Sequence, residues 1–238
     1  MLFGWFYYDW TVLIVLPGLL LTLIAQYMVQ SAYRKGADTM LPSMMTGASV
    51  ARRILDSNGL SDIRIEMTHG HLTDHYDPRT KVLRLSQSVY HGNNAAAVGV
   101  AAHEAGHALQ DAKGYAFLRF RIALVPICNF GATLAMPLFI IGLLLAGLSP
   151  YGAWIMMGGI GLFSLTVLFQ LITLPVEFNA SRRAMRCLDG SGTMTNEQLK
   201  TSRRVLSAAA MTYVASLAVS LLNLLRLLYI ASRNSRRK

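Results

Sequence analysis

The chain has 238 residues, 53% of them hydrophobic and only 14% charged, which is too apolar for a soluble domain of this length. Its formal charge is +10. The basic residues border apolar stretches without an aromatic-interleaved patch, which argues against nucleic acid and for an anionic lipid surface. Two cysteines, Cys128 and Cys187, exclude a disulfide framework and a cysteine-type zinc site.

Trp10 to Val29 is apolar and long enough for about 30 Å of helix. Trp5, Tyr7, Tyr8 and Trp10 before it, and Tyr27, Tyr33, Arg34 and Lys35 after it, suit the two membrane interfaces. No Lys or Arg precedes it, so it is expected to be a retained transmembrane helix (residues 10–29) rather than a signal peptide. Pro17-Gly18 is expected to kink it.

Residues 30–121 form the largest polar segment. Pro42-Ser43 predicts the start of a helix that Asn58-Gly59 stops. Ile63, Ile65 and Met67 alternate with polar residues, as in a strand. Leu72–Tyr76 and Lys81–Leu85 flank Asp77-Pro78-Arg79-Thr80, a turn sequence, and predict a hairpin. Asn93-Asn94 then offer an N-cap, and Lys113-Gly114 a stop, for an Ala-rich helix. Within it stands His103-Glu104-Ala105-Gly106-His107. Four residues are close to one helical turn, so His103 and His107 share a face and can hold one zinc ion, with Glu104 beside it as general base.

Three further apolar stretches follow. Residues 122–148 and 153–174 are predicted spans joined by Ser149-Pro150, and Gly158, Gly159 and Gly161 permit close helix contact in the second. Residues 175–207 read as a polar, partly helical loop. Residues 208–230 read as a span or an interfacial helix carrying Asn223 and Arg226, and Arg233–Lys238 as a basic tail. Lys and Arg concentrate in residues 30–121 and 175–207, whereas the Ser149-Pro150 turn has none. The positive-inside rule therefore puts both polar segments on the cytoplasmic side. Four spans would leave the basic C-terminus outside, which conflicts with that rule.

A catalytic zinc takes three protein ligands and keeps one position open. A third histidine at 113, with glycine at 110, would complete one known motif; the chain has Lys113 and Gln110. Glu177 is the best remaining candidate, because it follows a predicted span on the same side as the two histidines. Asp189, in Leu188-Asp189-Gly190, is the runner-up, but Arg182, Arg183 and Arg186 just before it argue against burial in lipid. His69, His71, His75 and His91 read as structural or solvated, with His75 or His91 as candidate donors to a tetrahedral oxyanion.

Three segments in this order, Leu72–Lys81, Ala101–His107 and Leu174–Ala184, give the chain its family likeness. It resembles the small bacterial membrane proteins called neutral zinc metallopeptidases, or membrane proteases of the YugP type, over nearly its whole length. The resemblance implies a multi-pass plasma-membrane protein with a zinc peptidase motif. A looser likeness is to larger gluzincin membrane proteases, whose third ligand begins Glu-x-x-x-Asp. Glu177 matches the Glu, but Ser181 stands at the Asp position, so the carboxylate that would orient a zinc-bound histidine is missing there.

The expected fold is thus a mostly α integral membrane protein, with about four apolar spans and a small zincin-like α+β module, forming one unit over residues 1–238. The expected activity is a zinc endopeptidase, with one zinc held by His103, His107 and Glu177 and with Glu104 as base, acting at the cytoplasmic face on membrane or membrane-near proteins. A scaffold subunit with structural zinc and a zinc amidase for non-protein substrates are the alternatives. The bilayer is the expected partner, and other membrane proteins or a second copy of the chain are compatible with it.

Overall fold

The computed structural model describes residues 10–42, 44–70 and 73–235. Trp5, Tyr7, Tyr8, Ser43, His71 and Leu72, all invoked above, lie outside them. The elements run as a 3-10 turn at Trp10–Ile14, then α1 (Leu16–Asp38), α2 (Gly47–Ser57), β1 (Arg64–Thr68), β2 (His75–Asp77), β3 (Val82–Ser86) and the short α3 (Gln87–Tyr90). They end with α4 (Ala95–Ala112), α5 (Ala116–Leu145), α6 (Tyr151–Gly190) and α7 (Asn196–Ser235). The chain divides into two compact units.

One unit comprises residues 1–24, 120–173 and 213–238 and carries the apolar parts of α5, α6 and α7. Three helices among the described residues are long and apolar enough to cross a membrane: Ala116–Leu145, Tyr151–Gly190 and the last helix from Asn196. The first apolar stretch does not join them. Its first residues form the 3-10 turn, and the helix that starts at Leu16 soon reaches Gln26, Gln30 and Ser31. Pro17 consequently sits in the first turn of α1, where its missing N–H costs nothing, and does not kink the middle of a span. Helix α5 runs unbroken through Pro126 and Pro137. Where α5 and α6 pack, a Cβ at Gly142, Gly152 or Gly159 would come within 2.6 Å of backbone on the other helix. Gly158 and Gly161, expected to serve the same purpose, face open space. Arg226 donates from Nε to the buried Thr11 hydroxyl at 3.0 Å, and Trp10 meets Tyr229 edge-on, with ring centroids 5.2 Å apart. Pairing to a neighbouring polar group is what a cation on an apolar helix requires.

The other unit comprises residues 25–119 and 174–212. Its centre is α4, which is buried on nearly every side because its non-polar positions are Ala, Gly, Val and Leu, small enough for neighbours to close in. Asn94 caps it by accepting from the Ala97 N–H at 2.9 Å, and Gly114, at φ 62°, ends it. Helix α2 starts later than Pro42-Ser43 predicts: Thr46 is its N-cap, accepting from Ser49 N–H. The sheet has order β1-β3-β2, with β1 parallel and β2 antiparallel to β3. The predicted hairpin is present but short, with Tyr76 opposite Leu83. Asp77 closes its turn, accepting from the Thr80 hydroxyl at 2.7 Å and the Arg79 N–H at 2.9 Å. Those two bonds hold its carboxyl below the usual carboxylate range.

Residues 175–207 are not mainly loop. Helix α6 continues through Pro175 to Gly190, and α7 begins at Asn196, so only a short link separates them. The pattern that explains this is Val176, Ala180, Ala184 and Leu188, all buried and four residues apart, which makes an apolar stripe along a polar helix. The expected basic tail likewise begins as helix, since α7 extends through Arg233 to Ser235.

Candidate metal centre

Helix α4 places His103 and His107 on one face with ring centroids 4.8 Å apart. The face meets α6 at Gly106. A Cβ there would stand 2.6 Å from the Ala180 carbonyl oxygen, so only glycine lets the two backbones approach this closely. Ala180 is three residues from Glu177, and the close approach brings Glu177 to the histidines. Its Oε2 lies 3.2 Å from His103 Nε2 and 3.7 Å from His107 Nε2. One ligand atom from each of the three residues lies within 4.8 Å of the other two, a group that can hold a metal ion. The Glu177 side chain is only 3% exposed.

The surrounding hydrogen bonds determine which ring nitrogen each histidine presents. Arg183 donates from Nε to Asn179 Oδ1 at 2.7 Å. A guanidinium can only donate, so that oxygen is an acceptor. Gln110 donates from Nε2 to the same oxygen at 3.0 Å and to the Val176 carbonyl at 2.8 Å. Its Oε1 is left to accept, and it lies 3.0 Å from His107 Nδ1. The proton of neutral His107 therefore sits on Nδ1, and the Nε2 lone pair points to the Glu177 side. The Ser181 hydroxyl is 3.1 Å from His103 Nδ1 and is able to accept a proton from that nitrogen when Nε2 binds a metal. Ser181 thus occupies the orienting position that an Asp holds in the looser family likeness, and does so with a neutral hydroxyl.

Glu104, next to His103, accepts from the Tyr76 backbone N–H at 3.1 Å through Oε2. Strand β2 is the edge strand beside α4, and the Tyr76 N–H is directed to the helix rather than to β3. Tyr76 is anchored at its other end: its hydroxyl donates to Asp111 Oδ2 at 2.8 Å, and Lys81 Nζ reaches the same oxygen. Burial, then the hydrogen bond and charge of Asp111, raise the phenol above its ordinary range.

Of the residues singled out from the sequence, His103, His107 and Glu177 come together and Glu104 lies beside them. Asp189 does not join them; it is exposed, farther along α6. His75 is exposed and bonds the Thr73 carbonyl at 2.7 Å, and the exposed His91 packs its ring on Tyr90. His69 is exposed as well. Gln110 was missed as a functional residue. The available signal was a glutamine three residues past a histidine on a helix otherwise rich in alanine, and it is fully buried.

The family model described as "Putative neutral zinc metallopeptidase" matches residues 11–232. The chain belongs to this family. It is also 46% identical over 219 residues to the "Putative membrane protease YugP" of Bacillus subtilis (strain 168), which covers 92% of this chain and 95% of that protein. No solved structure matches. Family membership, with three helices long enough to span, makes the chain a membrane zinc metallopeptidase. Zinc is the cofactor that membership implies, and the donor set fits it: two neutral imidazoles and one carboxylate are the number and kind of ligands of a catalytic zinc with an open position.

Proposed function

We propose that the chain is a membrane-embedded zinc endopeptidase of gluzincin type, with its site at the cytoplasmic face of a bacterial plasma membrane. Its substrates are extended segments of membrane or membrane-near proteins. The observation that carries the reading is the convergence of His103, His107 and Glu177, with Glu104 held beside them by the Tyr76 N–H. Their positions support zinc binding by the first three and base catalysis by the fourth. Zinc bound there would supply Lewis acidity, lowering the pKa of a bound water toward about 7 and polarising a scissile carbonyl.

The protein's own residues do the remaining work. Gln110 holds His107 in the tautomer whose Nε2 can ligate, and the Ser181 hydroxyl is placed to accept from His103 Nδ1 when its Nε2 ligates. Glu104 takes a proton from the attacking water as its oxygen bonds to the carbonyl carbon, then gives that proton to the amine nitrogen as the C–N bond breaks. The Tyr76 N–H steers the Glu104 carboxylate. Strand β2 offers an edge beside this helix on which an extended substrate can lie. The density of Lys and Arg in both polar segments supports the cytoplasmic orientation.

The test is Glu104→Gln in the purified, detergent-solubilised chain, with zinc content and cleavage of an unfolded membrane protein measured together. Zinc should remain near one per chain while cleavage stops. Equal cleavage by the variant would overturn the mechanism. Full rescue of a deletion phenotype by the variant would favour a scaffold.

A further inference from the structure

We propose that the second unit carries a binding site for the headgroup of an anionic phospholipid, between the polar ends of α6 and α7. A cavity of about 430 Å³ opens there, and Arg182, Arg186 and Arg203 line it. The first two are four residues apart on one face of α6, and the third faces them from α7. All three are exposed, and none makes an ion pair or hydrogen bond among the described residues. One carboxylate, Asp189, shares the cavity, which leaves a net excess of two positive charges. Such a concentration of like charge without partners is unfavourable unless an anion enters.

The rest of the lining selects the kind of anion. Phe178, Met185 and Leu206 give the cavity an apolar side, which a bare phosphate does not use and a glycerol backbone with the start of an acyl chain does. Sequence position agrees. Arg182 and Arg186 follow the apolar stretch that ends at Leu174, and Arg203 precedes the one that begins at Ala208, so all three stand where the spanning parts of α6 and α7 give way to polar chain. Basic pockets at that level between helices suit anionic headgroups. Ser181 lines the same cavity and touches His103 Nδ1, so a seated headgroup borders the candidate metal centre. The binding claim does not depend on the peptidase reading.

The experiment uses the full chain in detergent, with native mass spectrometry of lipid retained from an equal mixture of phosphatidylglycerol and phosphatidylcholine. The wild type should retain phosphatidylglycerol preferentially. At about fivefold per arginine near an anionic headgroup, the triple variant R182A/R186A/R203A should lose at least tenfold of that preference. A control removing Lys200, Arg204 and Arg233, which do not line the cavity, should keep it. Ser207→Glu, which adds a negative charge to the exposed lining while leaving the arginines in place, should lower it about fivefold and serves if the triple variant does not fold. Unchanged preference in either cavity variant, or equal loss in the control, would overturn the proposal. Displacement of the lipid by inorganic phosphate at equal concentration would reassign the site to a free anion. Binding of an acidic soluble peptide in place of the lipid would reassign it to protein. Cleavage is not read in any arm, so failure here leaves the peptidase reading untouched.

Discussion

Gly106→Ala tests the packing that assembles the metal centre, without touching any proposed ligand. The added Cβ would lie 2.6 Å from the Ala180 carbonyl oxygen and 3.2 Å from its carbon, both backbone atoms that no rotamer change can move. Helices α4 and α6 must separate by at least about 0.4 Å to reach the 3.0 Å floor of real contacts. Overpacking of this kind costs roughly 1–3 kcal/mol, and alanine's better helix propensity offsets about 1 kcal/mol of it. The net loss of stability is therefore small, about 0–2 kcal/mol. Metal affinity should suffer more, because ligand distances tolerate only about 0.2 Å and both histidines ride on the helix that moves. We expect zinc affinity to fall roughly ten- to a hundredfold, a loss comparable to that of an orienting residue. Competition with a chromogenic chelator measures it, and thermal unfolding of the solubilised chain measures stability. A variant with wild-type zinc affinity would refute the claim that the glycine sets the distance between the histidines and Glu177.

Further outcomes follow from the same geometry. Glu177→Ala should leave the protein folded and abolish stoichiometric zinc by elemental analysis, whereas Asp189→Ala should retain it; the reverse result would exchange their roles. Gln110→Leu should weaken zinc binding about ten- to a hundredfold, since it frees the His107 tautomer, and Gln110→Glu should recover part of it because a carboxylate also accepts from Nδ1. Ser181→Asp should strengthen zinc binding relative to wild type, and Ser181→Ala should weaken it, by the same titration. Tyr76 has a phenol raised in the folded state, first by burial and then by Asp111. A raised folded value means its contribution is complete below the unfolded pKa of about 10 and is lost as pH climbs through the folded value. Thermal melts should therefore fall as pH rises above about 10, and Tyr76→Phe should fall less steeply; parallel curves would show that another group titrates.

Much of the candidate centre was legible because it is local. His103, Glu104 and His107 fall on one helical turn, and their relation follows from the helix period alone. Glu177 was legible for a weaker reason: a lone carboxylate just past an apolar stretch needs an explanation. The caps Asn94 and Gly114 were readable because each acts on its own helix end. The parallel pairing of β1 with β3 was not readable, because register between strands depends on what packs over them. The helix through Pro175 was missed because proline reads as a breaker. The four-residue repeat of Val176, Ala180, Ala184 and Leu188 stabilises that helix only when α4 and its neighbours cover it.

The sequence by itself determined the chemistry of this protein: which residues can ligate, which can carry a proton, and which stretches favour lipid. Those properties belong to side chains and to periods of two to four residues. The tertiary structure alone decided how the candidate ligands are aimed. Gln110 orients His107 through partners on α6 that are 66 and 69 residues away, and Ser181 reaches His103 across 78 residues. The sequence does not show which partners such residues meet, because the contacts exist only once Gly106 has let two distant backbones approach at Ala180.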